Sequence, residues 1–224
     1  MNSVHDLQAV MAVADDAAAP FPTVPHLTAS SFFAAYAEET ARAAKTVEAS
    51  ALDAAAQILL DAYTRDAALF CCGNGGSAAI ANHLQCDHVK GIRAATDLAP
   101  RVVSLSSSVE LMTAIANDFA YDEIFRYQLE SQSRPGDVLI AISSSGRSAN
   151  IIRALEWASE HSVSTIALTG FDGGEARLIA DVTIHVAGAN YGIIEDHHQA
   201  IMHVLAQYIR QSRMTAEAIE VSVF

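Results

Sequence analysis

From about residue 67 onward, short apolar runs alternate with stretches whose apolar positions recur at helical spacing. The runs at 67–72, 101–105, 137–142, 164–168 and 181–186 read as strands, and the near-continuous apolar character of 67–72 and 137–142 reads as a sheet covered on both faces. Between them, 77–90, 109–116, 121–133, 148–161 and 174–180 read as helices, and 193–211 as the closing helix. Pro135-Gly136 ends the 121–133 segment. Strands alternating with helices predict an α/β fold, a three-layer α/β/α sandwich around a parallel five-stranded sheet.

Ahead of the first strand, Phe32, Tyr36, Ala43, Val47, Ala51, Ala54, Ile58 and Leu59 recur at roughly helical spacing. They predict one long helical arm over 32–63, capped by Ser30 or Ser31. Its alanine-rich faces suit close packing, either against another subunit or as a covering helix within one. Residues 1–29 carry Pro20, Pro22 and Pro25 and read as a flexible leader with a short helix before Pro20. The expected organisation is this leader, one domain over 30–213 including the arm, and a tail over 214–224.

Ligands of open parallel sheets bind outside the carboxyl ends of the strands. Two loops leave strands at that edge. Gly73-Asn74-Gly75-Gly76-Ser77 opens a helix, where exposed N–H groups favour a phosphate or another anion. Ser143-Ser144-Ser145-Gly146-Arg147-Ser148 repeats the plan, with hydroxyls that can hold a phosphate without formal positive charge. The competing reading of the second loop is a polar turn whose serines cap a helix.

His83 and Asp87 are four residues apart on one helix face. Glu195, His198 and His203 lie roughly on one face of the last helix. Two imidazoles and two carboxylates suit a divalent metal such as zinc, or acid/base work beside a substrate. Against this, His197 and His198 read equally as exposed surface residues and His203 as a satisfied core histidine. Asp118, after Asn117, could bond sugar hydroxyls or be an ordinary turn residue. Trp157 and Tyr127 fall in helical periodicity and read as core.

The net charge of −13 argues against direct nucleic-acid binding, so any phosphate must be held by local N–H and hydroxyl groups. Apolar residues make up 51% of the 224, which favours a well-buried sheet over disorder. Cys71, Cys72 and Cys86 form no disulfide framework and fit a reducing cytoplasm. No apolar stretch is long enough to span a membrane, and the first residues lack the basic start of a secretory signal.

Taken together, Cys72-Gly73-Asn74-Gly75-Gly76-Ser77, His83, Asn117-Asp118, the 143–148 serine loop, Leu168-Thr169-Gly170, Asp172-Gly173-Gly174 and His203 resemble the sugar isomerase (SIS) domain. Within it the chain resembles the phosphoheptose isomerase family, over about residues 31–212. The resemblance implies an aldose–ketose isomerase acting on sedoheptulose 7-phosphate to give a manno-heptose 7-phosphate. It further implies a cytoplasmic homotetramer with active sites at subunit interfaces, and zinc in several members. Carried over by position, Ser143, Ser144, Ser145 and Ser148 would hold the phosphate. Asn74, Gly75 and Ser77 would contact the substrate, Asp118 would bind sugar hydroxyls, and Glu195 would face the sugar. His83, Asp87, Glu195 and His203 would be the metal ligands. Asp87, or else Glu195, would take the proton alpha to the carbonyl to give a cis-enediol, with His203 the acid/base and the metal polarising the carbonyl.

Two positions depart from that family. Asp87 stands where it typically has Glu, and Glu195 where it has Gln. The segment around Gly192 also lacks an expected acidic residue. These departures keep open an isomerase of another ketose phosphate. A non-catalytic SIS module that binds the replication initiator protein DnaA is the other alternative, and the retained histidines and carboxylates favour an enzyme.

Overall fold

The computed structural model describes residues 20–224. The short helix expected before Pro20 lies outside them. The arm is two helices rather than one: α1, Ala29–Ala44, and α2, Ala49–Thr64. Its cap is Thr28, two residues before Ser30 and three before Ser31, the expected caps. The Thr28 hydroxyl accepts from the Ser31 N–H at 3.1 Å, and the Ser31 hydroxyl answers the Thr28 N–H at 3.4 Å. The break has a tertiary cause. The Thr46 hydroxyl donates to the Ala43 carbonyl at 2.7 Å and accepts the Ala187 N–H at 3.0 Å. A side chain that caps its own helix while holding a distant strand end stops the helix there.

The strands follow the apolar runs closely: β1 Ala68–Gly73, β2 Arg101–Ser104, β3 Val138–Ser143, β4 Ser164–Thr169 and β5 Val182–His185. All neighbours pair in parallel, in the order β2-β1-β3-β4-β5. The pleat explains the absence of polar alternation. Leu69 and Cys71 of β1 face one core with Leu59, Leu84, Ile140 and Met202. Phe70 and Cys72 face the other, with Phe125, Leu139 and Leu155. Both β1 cysteines are fully buried, and burial pushes the Cys71 thiol up to about 12, so neither supplies a thiolate.

The remaining helices are α3 Gly76–Cys86, α4 Val109–Asp118, α5 Arg126–Gln132, α6 Ala149–Glu160, α7 Ala176–Ile179, α8 Tyr191–Ser212 and α9 Ala216–Glu220. Two sequence readings change here. The helix expected over 77–90 ends at Cys86 and continues as a wider π-helical turn, Asp87–Ile92. The segment expected as one helix over 121–133 is a 3-10 turn, Tyr121–Glu123, followed by α5. The π turn sends His88 into the core, where its Nδ1 meets the Tyr63 hydroxyl at 2.5 Å.

Asp137 ties the sheet's amino edge together. Its buried carboxylate accepts from the Ala68 N–H and the Arg134 N–H, both at 2.7 Å. Asp137→Ala leaves one buried donor, the Ala68 N–H, and one part-buried donor, the Arg134 N–H, unpaired. A loss of about 2–5 kcal/mol is expected in denaturant unfolding, whereas a loss under ~1 kcal/mol would mean that water replaces the carboxylate.

His88 and His198 are both fully buried, and burial lowers the first to about 3 and the second to about 4. Unfolded histidine titrates near 6.5, so below that pH the unfolded chain binds protons the folded chain refuses. The stability tied to these neutral rings is complete above pH ~6.5 and is lost as pH falls toward 4 and 3. About 2 kcal/mol per ring is expected to be lost by pH 5. Melting curves from pH 7 to pH 5 check this; a flat profile would contradict two buried neutral rings.

Candidate active site

β1 and β3 are neighbours in the sheet, while the chain leaves them toward opposite sides of the strand order. That crevice is where α/β sheets place ligands, and both glycine- and serine-bearing loops open into it. In the first loop, Gly73 is clamped by Ser106. The Gly73 N–H donates to the Ser106 hydroxyl at 3.1 Å, and that hydroxyl donates to the Gly73 carbonyl at 2.9 Å. Gly75 adopts φ +54, a left-handed conformation that favours glycine, and hands over to α3 with no side-chain cap. Asn74 and Asn150 form a reciprocal amide pair with both bonds at 2.9 Å, and the Tyr121 hydroxyl donates to Asn74 Oδ1 at 3.0 Å. The amide pair binds the first loop to α6, the helix that follows the second.

The second loop is buried at Ser143 and Ser144. Ser143 Oγ accepts the Gly146 N–H at 3.1 Å, and Ser145 Oγ the Arg147 N–H at 3.3 Å. Ser144 Oγ is buried with no hydrogen-bond partner. Ser148 stands at the N-cap of α6, but its hydroxyl makes no capping bond. The polar-turn reading therefore accounts for neither Ser144 nor Ser148. Arg147 pairs with Asp172, so its charge is directed to the neighbouring turn.

The remaining predicted residues divide. His83, Asp87 and His203 come together, each with a donor atom within 4.8 Å of the other two. His83 Nε2 lies 3.3 Å from Asp87 Oδ1, His203 Nε2 lies 3.5 Å from Asp87 Oδ2, and the rings meet edge to face at 5.0 Å. All three side chains are partly exposed. Asp87 reaches the cluster from the start of the π turn, a helix distortion often found at functional sites. Two imidazoles and a carboxylate at this spacing fit a divalent transition metal.

Glu195 is not in that group. Its carboxylate lies against Gly76 at the head of α3, where a Cβ on Gly76 would meet Oε2 at 2.4 Å. A carboxylate suits that place because the helix start carries partial positive charge. His197 and His198, expected as exposed alternatives, are buried. His197 Nδ1 bonds the Ile193 carbonyl at 2.7 Å and His198 Nε2 the Thr169 carbonyl at 3.2 Å, so both serve the core. His203 is half-exposed and not a core residue. Asn117 and Asp118 close α4 rather than follow it. Asp118 is exposed, and its Oδ1 accepts from Asn117 Nδ2 at 2.9 Å. Ser77 is buried beneath the first loop.

Three residues at this edge escaped the sequence reading: Asn150, Tyr121 and Gln199. The Gln199 amide lies 2.9 Å from His83 Nδ1 and 3.1 Å from His203 Nε2. Its spacing was a usable signal, since 195, 199 and 203 share one face of α8.

The family model described as SIS domain matches residues 32–170. The phosphoheptose isomerase of Alteromonas mediterranea is 36% identical over 182 residues, spanning 80% of this chain and 91% of the relative. That of Rhodospirillum rubrum is 40% identical over 142 residues, spanning 63% and 74%. The chain belongs to the phosphoheptose isomerase family of SIS-domain proteins. In this family the solved structure of phosphoheptose isomerase GmhA from Neisseria gonorrhoeae superposes with TM-score 0.74 at 33% identity, covering 81% of this chain and 96% of that one. No helix among the described residues is long and apolar enough to cross a membrane.

Proposed function

We propose that this phosphoheptose isomerase family member interconverts sedoheptulose 7-phosphate and a manno-heptose 7-phosphate. The family assignment supports the reaction class. The observation that carries the site is the His83–Asp87–His203 cluster on helices that begin at the ligand edge of the sheet. In this reading Ser143, Ser144, Ser145 and Ser148 hold the phosphate with hydroxyls and the N–H groups at the start of α6. Asn74, Gly75 and Ser77 line the sugar from the first loop, Asp118 reaches its hydroxyls, and Glu195 faces it from α8. Asp87 takes the proton alpha to the carbonyl, giving a cis-enediol, and His203 moves a proton between the neighbouring oxygens. A divalent metal, zinc in the family expectation, would be held by His83, Asp87 and His203, and supplies Lewis-acid polarisation of a substrate oxygen when bound.

The reading places the enzyme in the cytoplasm as a homotetramer with sites at subunit interfaces. The apolar surface of Val204 and Tyr208, beside His203 and one turn beyond it, is left exposed and suits a subunit contact there. Asp87 and Glu195, both departing from the family pattern, favour as second reading an isomerase of another ketose phosphate. A DnaA-binding module has no use for the His–Asp–His cluster.

Proton NMR in deuterated water tests the assignment, with metal-replete and chelated samples side by side. Deuterium entering next to the carbonyl of sedoheptulose 7-phosphate, with a new aldose signal, is expected, and both should vanish on chelation. Binding without exchange would move the assignment to another ketose phosphate. Neither binding nor exchange would sink it.

A further inference from the structure

We propose that Gln199, and not Glu195, is the fourth group of the His83–Asp87–His203 metal centre in this chain. The proposal rests on the metal-dependent reading above and changes its ligand set. It starts from position. The Gln199 amide lies 3.1 Å from His203 Nε2, the nitrogen that faces Asp87, and 2.9 Å from His83 Nδ1, the ring nitrogen other than the one facing Asp87, joining the cluster's two helices. A half-turn of the amide sets Oε1, the atom a metal would take, in the same place. Gln199 is one turn from His203 on α8, the separation at which side chains on a helix touch. Glu195 is two turns away, and its carboxylate lies at the head of α3, against Gly76.

Charge points the same way. Two neutral imidazoles, one carboxylate and one neutral amide leave a divalent ion with net positive charge to act on sugar oxygens. A second carboxylate would cancel it. Where the family resemblance expects the amide at 195, this chain carries it one turn later, on the same face, and puts an acid at 195. The amide and the acid then have separate places, the first at the metal and the second at the helix start beside the first loop.

The test uses the full chain, stripped of metal and reloaded. Zinc affinity is read by competition with a chromophoric chelator, and ligand geometry by the visible absorption of the cobalt(II)-loaded protein. Gln199→Ala is expected to weaken zinc binding about 10- to 100-fold and to shift the cobalt bands. Glu195→Ala is expected to leave both unchanged. Circular dichroism melts verify folding, and Gln199→Leu, which keeps much of the side chain's bulk without any donor atom, replaces Gln199→Ala if that variant does not fold. Weakened zinc binding in Glu195→Ala, alone or alongside Gln199→Ala, overturns the proposal. So does an unchanged spectrum and affinity in the Gln199 variant, or an unaltered chain that takes up no zinc. Deuterium exchange into sedoheptulose 7-phosphate by the unaltered chain is scored separately, so the isomerase reading can stand where the ligand assignment falls.

Discussion

His203→Gln is expected to lower the turnover of sedoheptulose 7-phosphate by about 10²–10⁴-fold, the usual contribution of a positioned acid/base group. The loss should fall on kcat and leave KM within a few-fold, because the proposed phosphate grip lies on the serine loop and not on α8. Glutamine can still hydrogen-bond but cannot take up a proton from one oxygen and pass it to the next. The site is half-exposed, with its ring against His83 and no packing role in either core, so the melting temperature should change little. Steady-state rates and thermal melts of the same preparation decide the matter. A drop below ten-fold in a well-folded variant would remove His203 from proton transfer and pass that role to Asp87 or Glu195.

The second large effect is expected at Gly146. A Cβ there would stand 1.9 Å from the Gly173 carbonyl oxygen and 2.6 Å from its carbon, both backbone atoms with no freedom to rotate away. Gly146 also adopts φ +63, which costs an alanine about 1–2 kcal/mol before any clash is counted. The loop and the 170–174 turn are bound on both sides of this contact. The Gly170 N–H donates to the Ser144 carbonyl at 2.8 Å, and the Ala176 N–H to the Gly146 carbonyl at 3.0 Å. Gly146→Ala must therefore push the serine loop off its turn. With overpacking added, a stability loss of about 2–5 kcal/mol is expected, together with loss of inorganic phosphate binding by calorimetry. Gly91→Ala serves as the control, since nothing lies within 4 Å of its Cβ position and its φ is ordinary. A Gly146→Ala variant that is destabilised as expected and yet binds phosphate unaltered would show that the serine loop is not the phosphate site, and an unaltered melt would contradict the clash itself.

The central strands were legible because burial on both faces leaves an almost unbroken apolar run, as 137–142 shows beside the observed Val138–Ser143. The two ligand loops were legible for a related reason. A strand that ends in glycine or serine and restarts as a helix has few conformations open to it. The arm was legible as helical, but its break at 45–48 was not, because the residue that stops α1 does so by bonding Ala187. His197 and His198 misled for the same reason. Two adjacent polar residues on a helix read as solvated, and only the carbonyls of Ile193 and Thr169 make their burial tolerable. The π turn at Asp87–Ile92 left no pattern in the residues, since widening a helix by one residue per turn changes no composition.

The sequence by itself determined the layered sheet, the two loops at its ligand edge and the candidacy of His83, Asp87 and His203, because strand burial, turn chemistry and four-residue spacing are local properties. Only the tertiary structure decided which of the acids and amides on α8 meets those histidines. α3 and α8 come from opposite ends of the chain, and their relative depth is set by packing over Leu84, Met202 and Leu205. A shift of one turn along that contact exchanges Glu195 for Gln199, and no spacing within either helix carries that information.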